Sequence, residues 1–297
     1  MSIHRCAVVV DAASGLHEDA ARGLHVVPMR IRMGDGEFVD DGIAEHYPDF
    51  YRRLRAGEVP ATSTPAPGDY LDAYRRAQAE RVLCLTIPAR WSSMHDTAQL
   101  AADMLAAEEG NRRVEVMETP TAAAGFALVA RYAASLCADG TDVDTVRDAV
   151  RSACDDVCMY GALATLTYVA RSGRINAVLA GISNTLSIRP VFAVSGDETS
   201  RVALTRTLSG SVRALEKVAA EKVNGRAQWM LVFHADSPDE GRTLCERLEA
   251  VVQPARCDLV GLAPSSGAYT GPGAIGFALL PIDGVSAASR DGATPAP

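Results

Sequence analysis

An α/β fold in two units is predicted by how apolar runs are spaced along the chain. In the first half, short uninterrupted apolar runs alternate with stretches of helical periodicity. Near Val157 the order changes to helices followed by several strands. Short continuous strands separated by helices imply a mainly parallel sheet covered on both faces. The expected strands are Cys6–Val10, His25–Ile31, Val82–Ile87 and Val114–Glu118, and Met33–Phe38 reads as a hairpin. Expected helices are Glu18–Arg22, Tyr47–Arg55, Gly68–Ala79, Thr97–Glu109, Thr121–Ala138 and Thr141–Asp155. Beyond Val157, helices Thr165–Arg171 and Ala177–Leu186 precede strands Ile188–Ala193, Arg201–Thr207, Trp229–His234, Cys257–Ala263 and Ile275–Leu279. Helices Ser211–Val223 and Asp239–Val251 separate some of these strands, giving a second α/β domain with its sheet packed on helices. The expected units are therefore 1–157 and 158–282, with a disordered Gly-, Ala-, Ser- and Pro-rich tail over 283–297.

Composition narrows the function. A net charge of −8 with dispersed arginines argues against a nucleic-acid surface, which needs clustered Lys and Arg. Aromatics make up only 5% of the chain, so an apolar interior must be mostly aliphatic. No apolar run approaches the ~20 residues of a membrane helix. No signal peptide precedes the first strand, and several of the seven cysteines, Cys6 and Cys84 among them, fall within apolar runs. Both observations point to reduced thiols and a cytoplasmic location. Cys154 and Cys158 stand one helical turn apart and read as a buried thiol pair, without a matching pair at zinc-site spacing.

The nucleophile elbow, the HExxH zinc motif and the phosphate-binding Walker loop are absent from the sequence, and no dinucleotide glycine fingerprint follows the first strand, where the turn is Asp11-Ala-Ala-Ser14-Gly15. No motif points to a cofactor. Three hydroxyl-bearing segments stand out instead. Pro60-Ala-Thr62-Ser63-Thr64-Pro65-Ala-Pro67 precedes a helix start, where outward backbone N–H groups favour an anion. Trp91-Ser92-Ser93 lies between a strand and a helix, and Gly267-Ala-Tyr269-Thr270-Gly271-Pro272-Gly273 lies near the C-terminus. Brought together, they would form a donor-lined pocket for one small anionic head group. Taken alone, the first segment also reads as an ordinary solvated loop. Asp11, Thr86 and Glu118 fall at strand carboxyl ends, where ligands bind in parallel sheets. His95 lies beside Ser92 and Ser93, so a Ser–His nucleophile pair is a second possibility there. Gly173-Arg174-Ile175 reads as a glycine-capped helix end or as an exposed arginine that docks an acidic partner.

These segments, in this order and at this spacing, resemble the DegV family of bacterial fatty-acid-binding proteins, the carrier subunits of fatty acid kinase. The resemblance runs from Ala7–Asp11 to Ile275–Leu279. It rests on Pro60-Ala-Thr62-Ser63-Thr64-Pro65, Trp91-Ser92-Ser93-Met94, Gly173-Arg174-Ile175, Ile188-Arg189-Pro190 and Tyr269-Thr270-Gly271-Pro272-Gly273. It implies a long-chain fatty acid buried between two domains, its carboxylate held by Thr62, Ser63, Ser92 and Thr270. It also implies an arginine near the head group, best matched by Arg206, and a separate kinase docking at Arg174. The carrier itself contributes no catalytic group and needs no cofactor. The chain departs from the family pattern where Tyr269 replaces a histidine and Ser93-Met94 replaces Gly-Thr. It departs again at Asp11-Ala12-Ala13 and at Thr64, which replaces a glutamine. These changes around one site mark a divergent member, with altered ligand choice or without a kinase to serve. Two competing functions remain at this point. One is a Ser/His-dependent hydrolase or acyltransferase using Ser92 and His95. The other is a phosphate- or sugar-binding regulator using the Thr270–Gly276 loop.

Overall fold

The structure is a computed structural model that describes residues 4–111, 113–172, 188–195, 198–223 and 225–282. The expected helix Ala177–Leu186, the Gly173-Arg174-Ile175 turn and the tail from Asp283 lie outside these residues. The first sheet is parallel throughout, in the order β2-β1-β6-β7. Its strands are β1 (His4–Asp11), β2 (Leu24–Val27), β6 (Ala79–Thr86) and β7 (Val114–Glu118). A small antiparallel sheet, ordered β4-β3-β5, is built from β3 (Met29–Met33), β4 (Gly36–Asp40) and β5 (Pro60–Thr62). The second large sheet runs β10-β9-β8-β13-β11-β12. It comprises β8 (Cys158–Ala162), β9 (Arg189–Ser195), β10 (Glu198–Thr205), β11 (Gln228–His234), β12 (Arg256–Gly261) and β13 (Ile275–Pro281). Within it only β11 and β12 pair in parallel.

The described helices are α1 (Tyr47–Arg55), α2 (Pro67–Arg76), α3 (Met94–Glu109), α4 (Ala123–Ala138), α5 (Val143–Asp156) and α6 (Thr167–Ser172), then α7 (Leu208–Lys222), α8 (Pro238–Val252) and α9 (Pro264–Thr270). They form layers with the sheets. On the outer face of the first sheet, α2 and α3 pack through Tyr70, Tyr74 and Ala101 against Val9 and Val82. On the outer face of the second, α7 and α8 pack Leu215 and Leu244 against Val232 and Phe277. Between the sheets lies α4, whose sequence AAGFALVARYAASLCA is apolar nearly all round, as a helix buried on every side must be. It joins Val8 and Val10 of β1 to Leu231, Phe233 and Ala278 of the second sheet in one core cluster. No helix among the described residues is long and apolar enough to cross a membrane.

Five expectations are corrected. The strand expected over His25–Ile31 breaks at Pro28, which has no N–H to donate to a ladder. Leu24–Val27 stays in the parallel sheet and Met29–Met33 leaves for the small one. The Glu18–Arg22 segment forms only a 3-10 turn over Ala20–Arg22, closed by Gly23 in the left-handed conformation at φ 68°. Pro60–Thr62 is a strand rather than a loop, pairing Ile31 with Thr62. The helix containing Cys154 ends at Asp156, so Cys158 stands on β8 and the two thiols sit on different elements. Cys6 on β1 and Cys137 on α4 form a buried disulfide, with Cα atoms 5.1 Å apart, where reduced thiols were expected. Their separation of 131 residues hid the pair from any spacing argument.

Candidate functional site

A cavity of about 160 Å³ lies where the small sheet, the start of α3, the start of α4, α9 and the second sheet meet. Its apolar wall comes from Met29, Ile87, Met94, Met159, Phe192 and Val194. Hydroxyls line the rest of its rim. Thr62, Ser63 and Thr64 arrive from β5 and the loop after it, Ser92 from the turn before α3, and Tyr269 and Thr270 from α9. The structure thus brings five of the sequence-predicted head-group residues, Thr62, Ser63, Ser92, Tyr269 and Thr270, to one cavity.

Each side of the rim is positioned differently. The Thr62–Thr64 segment is pinned by β5 pairing and by Ser63, whose backbone N–H donates to the Arg30 carbonyl at 3.1 Å and whose hydroxyl donates to the same oxygen at 3.0 Å. The Thr62 hydroxyl shares a hydrogen bond with the Tyr269 phenol, tying β5 to α9. Thr64 Oγ1 stands 3.1 Å from Ser93 Oγ and 3.5 Å from Ser92 Oγ, so its bond to Ser92 is at the long limit. Thr270 Oγ1 donates back to the Ser266 carbonyl at 3.3 Å. The α9 helix was missed by the sequence analysis, being only seven residues long. It is fixed by Asp40, whose Oδ2 accepts the Ser265 N–H at 2.8 Å, and by Tyr51, whose hydroxyl donates to the Leu262 carbonyl at 2.8 Å. Gly267 is required there, since a Cβ would lie 2.3 Å from the Tyr51 hydroxyl oxygen.

The helix-start argument holds for a different helix from the one expected. The chain entering α2 is already served, because Asp69 of its first turn accepts the Ala66 N–H at 2.8 Å. A second anion beside that carboxylate is disfavoured. By contrast, α3 begins at Ser93 without a side-chain cap, the Asp96 carboxylate of its first turn stands in solvent at 83% exposure, and its first residue, Met94, reaches the cavity wall. The uncapped first amides of a helix, with the positive end of its dipole, favour an anion. The start of α4 also borders the cavity, with Ala123 held at φ 45° in the region that favours glycine.

Arg206 is exposed just beyond the end of β10 and does not line the cavity; from that strand Thr199 does. Among the described residues, the cavity wall contains no Lys, Arg or His. Arg174 lies outside the described residues. The strand-end residues Asp11 and Thr86 are buried, and their neighbours Ala13 and Ile87 reach the wall in their place.

Two buried carboxylates support the rim. Burial pushes the fully enclosed Asp11 up to about 7, although the Ala13 N–H donates to it at 2.9 Å. Asp40 is pushed up to about 6 for the same reason, against the stabilising N–H of Ser265. Asp40 was not singled out from sequence. No signal in the sequence pointed to it, because the amide it holds lies 225 residues away.

The geometry disfavours both alternatives. Ser92 faces Thr64, whereas His95 Nδ1 lies 3.6 Å from Asp96 and 4.0 Å from Glu118; no hydrogen bond joins Ser92 to His95 among the described residues. In the glycine-rich loop, Gly273 N–H donates to Ala235 at 2.7 Å, and a Cβ at Gly271 would strike the Tyr168 ring at 2.0 Å. Packing accounts for these glycines.

Two large sheets clasping a buried helix, with an apolar cavity bearing hydroxyls beside it, define the class as an α/β protein built on two large sheets. The chain belongs to the DegV family: the model described as "Uncharacterised protein, DegV family" matches residues 5–281. It is 30% identical to a DegV domain-containing protein of Streptomyces coelicolor over 285 residues, 93% of this chain and 98% of that one. Its fold is similar to that of a fatty-acid-binding DegV family protein from Thermus thermophilus, with a TM-score of 0.84 at 25% identity, covering 94% of this chain and 100% of the other. It also has the fold of the Streptococcus pneumoniae fatty acid kinase B3 protein loaded with linoleic acid, with a TM-score of 0.82 at 19% identity, covering 93% and 99%.

Proposed function

We propose that this protein is a non-catalytic carrier that binds one long-chain fatty acid. The acyl chain lies along the Met29–Met94–Met159–Phe192 wall, and the carboxylate sits at the Ser92 side of the rim. The carrying observation is the convergence of an apolar wall and hydroxyl donors in one cavity, in the fold of proteins solved with fatty acids. An ionised carboxylate in a dry site is costly unless donors satisfy it. Ser92, Thr64 and the first amides of α3 offer that satisfaction without a cation. Thr62, Ser63, Tyr269 and Thr270 hold the rim in shape. Each CH₂ withdrawn from water contributes roughly 0.8 kcal/mol, so the tail supplies most of the affinity and the head group sets orientation. In this reading the units 1–157 and 158–282 close on the ligand from either side.

The head group at the rim would then be presented to a separate fatty acid kinase, which phosphorylates the carboxylate. This part rests on likeness to the S. pneumoniae protein, and the resemblance of Gly173-Arg174-Ile175 to the family's turn makes Arg174 the proposed docking position. The test is calorimetric titration of delipidated protein with palmitate, with palmityl alcohol and with inorganic phosphate. The expected result is saturable binding of palmitate at one per chain, weaker binding of the alcohol and none of phosphate. Phosphate binding without fatty-acid binding would replace the carrier with an anion regulator.

A further inference from the structure

On the far side of the second sheet from the cavity, α8 packs across the edge strand β12. Cys245 and Glu249 lie four residues apart on α8, on one face of the helix. Cys257 is the second residue of β12. The two sulfurs are 3.3 Å apart, and both sulfurs and a Glu249 carboxylate oxygen lie within 4.8 Å of one another. Both cysteines are partly buried and Glu249 is exposed, so the cluster opens to solvent on one side. The charged groups acting on the two thiols are the acidic Glu249, Glu246 and Asp258, of which Asp258 is already paired with Arg131 and Arg256. Such a grouping repels itself when ionised, and a cation is what relieves it.

We propose that Cys245, Cys257 and Glu249 bind one zinc-class divalent cation, with water in the fourth position. Two thiolates and a carboxylate suit a borderline-soft ion that accepts tetrahedral geometry. With metal–sulfur bonds of ~2.3 Å, the sulfurs of a tetrahedral site stand ~3.8 Å apart, so a small opening of the pair admits the ion. Binding releases the two thiol protons to solvent and leaves two thiolates, one carboxylate and the dication. The ion would clip α8 to an edge strand that otherwise pairs on one side only, with β11. The 11 residues between the cysteines gave no recognisable motif, because the site forms only where the α8–β12 connection folds back.

The experiment is titration of the full chain, kept reduced with a phosphine, using Co²⁺ as the probe and Zn²⁺ as competitor. The expected result is thiolate-to-cobalt charge-transfer absorption that saturates at one ion per chain and is displaced by Zn²⁺. It should be lost in C245S and in C257S, shifted to higher cobalt concentration in E249Q, and retained in C154S. A second measurement needs no variant: Zn²⁺ should slow alkylation of Cys245 and Cys257, but not of Cys154, in the wild type, as mapped by peptide mass spectrometry. Absence of the band in reduced wild type, its survival in C245S or C257S, or unprotected alkylation would overturn the assignment.

Discussion

The two sides of the cavity rim divide the labour. On the α9 side, position is fixed and the Thr270 donor is spent: Asp40 holds the Ser265 N–H, Tyr51 underpins Gly267, and Thr270 donates to its own helix, while the buried Ser265 hydroxyl has no hydrogen-bond partner among the described residues. On the β5–α3 side, Thr64, Ser92 and Ser93 share loose hydroxyl contacts beside a helix start that has no side-chain cap. Hydroxyls alike in type are therefore unequal in what they can offer a ligand, according to the partners the fold gives them. Composition alone would have counted them alike.

The largest effect should come from the donor side. Ser92→Ala removes a hydrogen bond to a charged group, worth about 1.5–3 kcal/mol, so palmitate affinity should fall roughly 10- to 100-fold in calorimetry. An unchanged affinity would erase the distinction between the sides. Asp40→Ala acts on the positioning side. Loss of the acceptor for Ser265 should cost about 1 kcal/mol of stability by denaturant unfolding, with a smaller loss of palmitate affinity. A full loss of binding with intact stability would make Asp40 a ligand group in its own right.

The buried carboxylates predict a pH effect with a definite sign. Both Asp11 and Asp40 titrate higher when folded than their ordinary value of 3.8, at about 7 and about 6. The native state therefore binds more protons than the unfolded chain between about 4 and 7, and stability contributed by these groups is lost as pH rises through that window. Asp11→Asn should flatten the decline in unfolding free energy over this range, and an unchanged slope would contradict the assignment. Smallest of all, Thr270→Ala and Arg206→Ala should leave palmitate affinity within about threefold of wild type, since one hydroxyl is already spent and the guanidinium lies off the wall.

Much of the first sheet was legible because continuous apolar strands such as Val82–Thr86 carry their own signal. The hydroxyl segments were legible as residue types but not as roles. Whether Ser92 or Thr270 has a proton to offer depends on partners that only folding supplies. Strand β8 escaped because Gly161 interrupts its pattern; that glycine is demanded by the Phe192 ring, which would lie 2.6 Å from a Cβ. Arg206 was placed at the site through family likeness alone, and the end of β10 leaves it outside. Asp40 and the Cys245–Cys257 pair were invisible for the opposite reason, since their partners are remote in sequence or brought together across a turn. Residues acting through long-range contacts leave no spacing to read.

The central claim is that the cavity holds a fatty acid by its chain and by the Ser92 side of the rim. Its most direct test is mass spectrometry of the organic extract from purified protein, beside native mass spectrometry of delipidated protein offered palmitate. The account predicts one fatty acid per chain in the extract and uptake of one palmitate per chain. An empty protein that also takes up no palmitate would contradict it.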